Sequence, residues 1–164
     1  MSFMLRTATP ADAPTIAELH VATWRETYNH LLPEDYFTEG HLQGRHKMWN
    51  HILGNPRDEW RVAVAERDGG IIGFAFAGPA FDPESLDMPR ELQVYNLYVS
   101  AAQHGMGAGQ ALLDAVIGPR LAMLWVAKGN PRAVAFYRRN GFEFDGTERR
   151  DAAAPMITDA SMVR

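Results

Sequence analysis

His104-Gly105-Met106-Gly107-Ala108-Gly109 and Gly129-Asn130-Pro131-Arg132-Ala133-Val134-Ala135-Phe136-Tyr137-Arg138 are the two segments that decide how this chain is read. The first follows Val94 to Val99, an apolar and aromatic run of strand type. It precedes Leu112, Leu113, Val116 and Ile117, which recur at helical spacing. Its glycines therefore lie on a strand-to-helix corner, where glycine tolerates positive φ and leaves no Cβ in the path of a ligand. Successive backbone N–H groups at such a corner can point at an anion, helped by the helix dipole. No Lys-Ser or Lys-Thr follows, so the Walker A pattern is absent, and the alternation of Gly105, Gly107 and Gly109 does not match G-x-G-x-x-G. A tight connection with no ligand remains the other reading of this turn.

The second segment reads as a capped helix. Asn130 is a good N-cap, Pro131 a good first residue, and Gly141 after Asn140 a natural stop. Ala133, Phe136 and Tyr137 share one face at i, i+3, i+4 spacing. Leu121 to Ala127 before it reads as a buried strand, and ligand sites in open α/β sheets gather at strand C-terminal ends beside helix N-termini. Phe136 reads as core, whereas Tyr137 carries a hydroxyl that is either held by the scaffold or put to use.

These residues resemble the GNAT superfamily of N-acetyltransferases. Leu97-Tyr98-Val99, five residues ending at Gln103-His104, then Gly105-Met106-Gly107-Ala108-Gly109 and Ala111-Leu112-Leu113 look like its motif A, Q/R-x-x-G-x-G/A. Asn130, Ala135-Phe136-Tyr137 and Asn140-Gly141-Phe142 look like its motif B, and the likeness runs from Leu5 to Arg164. The resemblance implies one α/β (α+β) domain over residues 1–164. Its fold would be a mixed, strongly twisted sheet of about seven strands flanked by helices, with acetyl-CoA lodged where two central parallel strands splay. Carried over by position, His104, Gly105, Met106, Gly107, Ala108 and Gly109 would cradle the pyrophosphate. Leu97, Tyr98 and Val99 would pair with the pantetheine arm through their backbone. Asn130, Ala133 and Phe136 would meet that arm from the other side, and Tyr137 would lie near the thioester sulfur as the proton donor. His104 stands where the family usually has Gln or Arg.

The implied reaction is acetyl transfer to a primary amine of a small molecule or peptide, by direct attack in a ternary complex. The position where many relatives carry a basic Glu holds Gln93, so the expected base is Glu91, two residues earlier on the same strand face if pairing is regular. Glu26 is a remoter choice, and a water chain is an equal alternative. Trp24, Glu26, Tyr28, Gln93 and Tyr95 are the acceptor-side candidates, with Trp24 read mainly as core. A catalytically silent acyl-CoA-binding or regulatory module is the competing reading, supported by Gln93 and opposed by Tyr137.

Composition agrees with one domain. The chain has 164 residues, a formal net charge of −4 and no cysteine. One core suffices at this length, and no broad attraction to nucleic acid or membrane is expected. Disulfides and a cysteine nucleophile are excluded. No apolar stretch approaches membrane-spanning length and Met1-Ser2-Phe3 opens no secretory signal, so the expected compartment is the cytoplasm, with a homodimer left open. His41, His46 and His51 recur every five residues, which scatters them around a helix, and no metal site is expected. Arg138-Arg139 and Arg149-Arg150 read mainly as solvated faces.

The remaining elements follow from punctuation. Met4 to Ala8 reads as a strand, and Thr9-Pro10-Ala11-Asp12 as a capping box before a helix starting at Pro14. Pro33 is expected to start a short helix, and a longer one spans Leu42 to Leu53. Trp60 to Glu66 and Ile71 to Ala77 form a hairpin around Asp68-Gly69-Gly70. Pro79 to Arg90 is a loop, and Phe142 to Arg149 and Ile157 to Val163 are two final strands joined by Asp151 to Pro155.

Overall fold

The computed structural model describes residues 2–82, 87–150 and 154–164. Among these, seven strands form one sheet: β1 (Met4–Thr7), β2 (Arg61–Arg67), β3 (Gly70–Pro79), β4 (Leu92–Val99), β5 (Met123–Ala127), β6 (Glu143–Arg150) and β7 (Thr158–Val163). Four helices flank it: α1 (Ala13–Tyr28), α2 (Glu39–Gly54), α3 (Ala108–Ile117) and α4 (Pro131–Arg139). The sheet order is β1-β2-β3-β4-β5-β7-β6, antiparallel throughout except for the parallel pair β4/β5. This is the mixed sheet the motifs implied.

Alternation along β2 and β3 sorts side chains by size. Val64, Phe74 and Phe76 face α1 and α2, where they pack with Ile16 and Trp49. Ala63, Ala65, Ala75 and Ala77 face the other way, under Leu112, Leu113, Val116 and Ile117 of α3. Small residues there let the helix sit close. Gly73 marks the closest approach: an added Cβ would lie 2.9 Å from the Tyr98 carbonyl oxygen and 3.1 Å from a Leu112 methyl. Gly73→Ala would thus push α3 off the sheet.

The hairpin turns at Asp68 and Gly69, with φ of 53° and 80°, the signature of a two-residue primed turn. Asp12 closes the expected capping box, its carboxylate accepting from the Thr9 N–H at 2.7 Å, and α1 begins one residue before Pro14. Two expectations fail. Pro33 starts no helix, because Pro33 to Tyr36 closes as a single turn and Leu31, Leu32 and Tyr36 pack on Tyr28 and Ile157. The following helix begins at Glu39, three residues before the expected Leu42, since Thr38 caps it by accepting from the His41 N–H at 3.1 Å. The expected loop over 79–90 and the β6–β7 connection fall in part on 83–86 and 151–153, outside the described residues.

Two irregularities in the middle of the sheet position everything that follows. Phe76 pairs with Asn96 but Ala77 pairs with Val94, so Tyr95 is an extra residue on β4, a β-bulge. The bulge exchanges faces: Val94 joins the α3 side before it, whereas Leu97 and Val99 join that side after it, leaving Tyr95 and Tyr98 toward α1 and α2. The second irregularity is a splay. β4 and β5 pair only at Gln93↔Met123 and Val94↔Leu124, then run apart as far as Val99 and Ala127.

Candidate active site

Two cavities open from the splay. The larger, about 660 Å³, runs along the β4 edge from Leu97, Tyr98 and Val99 to the first turn of α3 and across to α4. The smaller, about 280 Å³, lies between α1, the bulged part of β4 and the ends of β5 and β7. Leu97, Tyr98, Asn130, Ala133 and Tyr137 belong to both walls.

The larger cavity ends at an uncapped helix. Gly107 occupies the N-cap position of α3 with φ 86°, and no side chain caps that end. Of the other helices lining the cavities, α4 is closed by Asn130 accepting from the Ala133 N–H at 3.2 Å and α2 by Thr38, whereas the N-terminus of α1 lies outside both linings. The first-turn N–H groups of α3 thus remain available to an anion. A Cβ built at Gly105 or Gly107 would meet nothing within 4 Å, so the glycines hold open space against the backbone. Arg132 and Arg139 line the same cleft. Its polar groups therefore favour a phosphate at one end, and its unpaired strand edge favours an extended amide chain along the other.

Of the residues expected to bind the cofactor, all but one line this cleft: Leu97, Tyr98, Val99, His104, Gly105, Gly107, Ala108, Gly109, Asn130, Ala133, Phe136 and Tyr137. The exception is Met106, whose sulfur lies 3.3 Å from an Arg67 nitrogen, outside the lining. His104 is anchored to the scaffold, its Nε2 donating to the Val99 carbonyl at 2.9 Å. Arg139, read as a solvated face, is a wall residue.

Tyr137 stands at the junction. Its ring packs edge-on against Phe136 and Phe142, and burial raises its pKa above the ordinary phenol value, with lesser contributions from Tyr98 and Tyr28. Among the described residues its hydroxyl makes no hydrogen bond, although it is only 9% exposed. A hydroxyl that the scaffold leaves unused at the junction of two cavities is available to a bound ligand.

The smaller cavity is walled by aromatic rings. Trp24 donates from Nε1 to the Tyr98 hydroxyl at 3.0 Å and packs against Tyr28, with 4.8 Å between ring centroids. Asn130 Nδ2 reaches the Tyr28 hydroxyl at 3.4 Å. Gln93 is buried and its Oε1 accepts from the Phe81 N–H at 3.2 Å, while the Tyr95 hydroxyl donates to the Pro79 carbonyl. Trp24, Tyr28, Gln93 and Tyr95, the acceptor-side candidates, thus line one cavity together.

Glu91 and Glu26 do not. Glu91 is exposed, precedes β4 and lines neither cavity; the strand it was expected to extend begins at Leu92. Glu26 lies in the larger cleft instead, one α1 turn from the acceptor wall, and accepts from the Ala101 N–H at 2.8 Å. The acidic residue that does line the smaller cavity is Asp159 on β7.

His20, Arg45, Arg149 and Asp159 were missed from the sequence. His20 is 2% exposed and accepts at Nδ1 from Trp49 Nε1 at 3.1 Å, which fixes the neutral tautomer with its proton on Nε2. Burial lowers its pKa well below the ordinary histidine value, assisted by Arg45 and His41. Its place at i, i+4 from Ile16 and Trp24 on the buried stripe was a usable signal. Arg149 gave none, since its cross-strand pairing with Asp159 brings it to the cavity over a long sequence distance.

Comparison with known proteins decides the family. Residues 16–142 match the model of the acetyltransferase (GNAT) family. The chain belongs to that family. It is an acetyl-CoA-dependent N-acetyltransferase. A "Probable N-acetyltransferase" of Mycobacterium tuberculosis is 28% identical over 87% of this chain and 80% of its own. An uncharacterized N-acetyltransferase of Bacillus subtilis is 30% identical over 82% and 76%. The crystal structure of the PaiA N-acetyltransferase of Thermoplasma acidophilum in complex with coenzyme A superposes with a TM-score of 0.72 over 100% of this chain and 99% of that one, at 21% identity. This last likeness concerns the fold. Among the described residues of this acetyltransferase no helix is long and apolar enough to cross a membrane, and no group of three His, Asp or Glu side chains is placed to hold a metal ion.

Proposed function

We propose that this acetyltransferase moves the acetyl group of acetyl-CoA directly to a primary amine held beside it, in a ternary complex. The observation that carries the reading is the shared wall: the cleft suited to the donor and the cavity suited to the acceptor meet at Tyr137. A donor and an acceptor seated on either side of that wall need no enzyme-bound carrier, and the chain has no cysteine to serve as one.

Acetyl-CoA supplies the activated acyl thioester. The backbone N–H groups at Gly105 to Gln110 would hold its pyrophosphate, and the coenzyme A bound by the Thermoplasma relative supports placing that group in this fold. The free β4 edge from Leu97 to Val99 would hydrogen-bond the pantetheine arm, with Asn130, Ala133 and Phe136 packing on its other side. Beyond the bulge, β4 N–H groups no longer committed to β5 are available to the acyl oxygen, where they would stabilise negative charge.

Two proton movements remain. Asp159 lines the acceptor cavity and is the candidate to take the proton that the amine releases as its C–N bond forms, directly or through a water. Tyr137, kept protonated by burial, donates from its hydroxyl to the departing sulfur as the C–S bond breaks. The products are the N-acetylated amine and free coenzyme A.

Initial-rate kinetics with both substrates varied test the order of events. Intersecting double-reciprocal lines are expected; parallel lines would require a covalent acetyl-enzyme and would overturn direct transfer.

A further inference from the structure

The acceptor cavity carries an electrostatic bias that narrows the kind of amine it takes. Its charged wall residues are Arg45 from α2, Arg149 from β6 and Asp159 from β7, two cations against one anion. His20 adds no charge, because its Nδ1 is occupied as an acceptor. A cationic acceptor such as a simple alkyl ammonium or a polyamine would enter against this balance.

Two of the wall residues also carry hydrogen-bond donors with nothing to donate to. Arg45 Nε and Trp125 Nε1 are buried and, among the described residues, have no acceptor. Both are N–H groups that can only donate. The guanidinium of Arg149 lies over the Trp125 ring, 4.0 Å from its centroid, so a fixed cation and an unused donor sit side by side. Arg45 is steadied similarly, 5.8 Å from the Trp24 ring. Orphaned donors flanked by arginines on two walls ask for acceptor oxygens with negative charge.

Resting on the acetyl-transfer reading above, we propose that the acceptor is an amine that also bears an anionic oxygen group, an aminocarboxylate, whose carboxylate is held by Arg45, Arg149 and Trp125 while its amine faces Tyr137. Asp159, the cross-strand neighbour of Arg149, is the one acidic side chain lining this cavity. The aromatic walls of Trp24, Tyr28 and Tyr98 leave the middle of the acceptor apolar. Arg45 and Arg149 are thereby specificity residues.

The test pairs each free amino acid of a panel with its carboxamide, which differs only in the anionic group, and includes aminoalkyl phosphates and diamines. Coenzyme A release reports turnover. In parallel, the matching N-acetyl amino acids and their amides are titrated against the coenzyme A complex by tryptophan fluorescence, a binding readout that needs no turnover. The free acid is expected to exceed its amide at least about tenfold in kcat/KM and in affinity. Arg149→Met and Arg45→Met are expected to raise KM for the acid about 10- to 100-fold, abolish the acid-over-amide ratio and leave coenzyme A affinity unchanged. Arg149→Lys should restore part of the ratio. A preference for amides or diamines, or an acid-over-amide ratio unmoved in both arginine variants, overturns the proposal. Preference for the phosphates assigns the anion site to phosphate and overturns the aminocarboxylate reading. Failure of the acetyl-transfer reading itself looks different: no amine of the panel would release coenzyme A from acetyl-CoA above the rate without amine, in the wild-type chain as in the variants.

Discussion

Replacing Tyr137 by Phe separates a working hydroxyl from a structural one, because the scaffold makes no claim on it. The phenol oxygen forms no hydrogen bond with the described residues, and the ring contacts with Phe136 and Phe142 survive the change. Losing that oxygen therefore forfeits no intramolecular bond, and stability should move by less than about 0.5 kcal/mol in either direction. The departing group is a thiolate of reference pKa about 8.5, already tolerable near neutral pH, so the donor's share sits at the lower end of the usual range for general acids. A fall in kcat of about 100-fold, roughly 2.7 kcal/mol of barrier, is expected, with the Kd for coenzyme A unchanged. Burial raises the Tyr137 pKa, so in the wild-type protein this donor imposes no basic limb on kcat up to about pH 10. A thiol-reactive dye is well suited to the assay because the chain has no cysteine and every thiol detected is released coenzyme A. Thermal unfolding run beside saturating-substrate kinetics supplies the refutation: kcat preserved per folded molecule, with Tm lowered by several degrees, would make Tyr137 a packing residue.

Gly107→Val should abolish coenzyme A binding measured by calorimetry, with Gly118→Ala as control, since φ 55° at the far end of α3 imposes left-handed strain of about 1–2 kcal/mol without touching the cleft; equal affinities in the two variants would dismiss the phosphate cradle. Arg6 grips both Asp12 oxygens at 2.7 and 2.8 Å and holds the carboxyl at about 2, below its usual value, with backbone donation from Thr9 helping against desolvation. This stability is present above the unfolded carboxyl value near 3.9 and lost as pH falls toward 2, so Asp12→Asn should cost about 1–2 kcal/mol at pH 6 in urea unfolding, discounted for the partly exposed Arg6, and almost nothing at pH 2. Tyr28, Tyr98 and Tyr137 all have pKa values raised by burial, so their contribution holds below the unfolded value near 10 and disappears above it. Spectrophotometric titration should find these phenols ionising together with alkaline unfolding; early, reversible ionisation of all five tyrosines in folded protein would contradict the buried placement.

The larger cleft was legible in the sequence because its construction is local. Gly105 to Gly109, Asn130 and Tyr137 act through backbone conformation, a cap and a helix face, each set by neighbours a few residues away. Glu91 lies outside both cavities, which no periodicity could reveal. Pairing is regular from Gln93 back to Leu92, and the Ala80 N–H donates to the Glu91 carbonyl at 2.8 Å, but β4 starts at Leu92 and the Glu91 side chain is exposed. The Met106 side chain is turned toward Arg67 and out of the cleft lining. Arg149 and Asp159 were invisible because a strand dipeptide such as Arg149-Arg150 reads as a solvated edge until β7 is known to lie between β5 and β6.

That division between local and long-range construction has a functional consequence. The two cavities share one wall and both take several residues from α1, yet the larger is built mainly from the β4–α3 corner and α4, whereas the smaller also takes one residue each from α2, β6 and β7. Under the proposed function, substitutions at Arg45, Arg149 or Asp159 should therefore change which amine is admitted without disturbing the glycine corner or the strand edge proposed to hold the donor. The splay itself cannot be varied so freely. It follows from β4 and β5 being the only parallel neighbours among the described strands, joined through α3, whose close seat depends on Gly73. A side chain at Gly73 should for this reason damage donor binding and acceptor turnover together, while the arginine substitutions separate them.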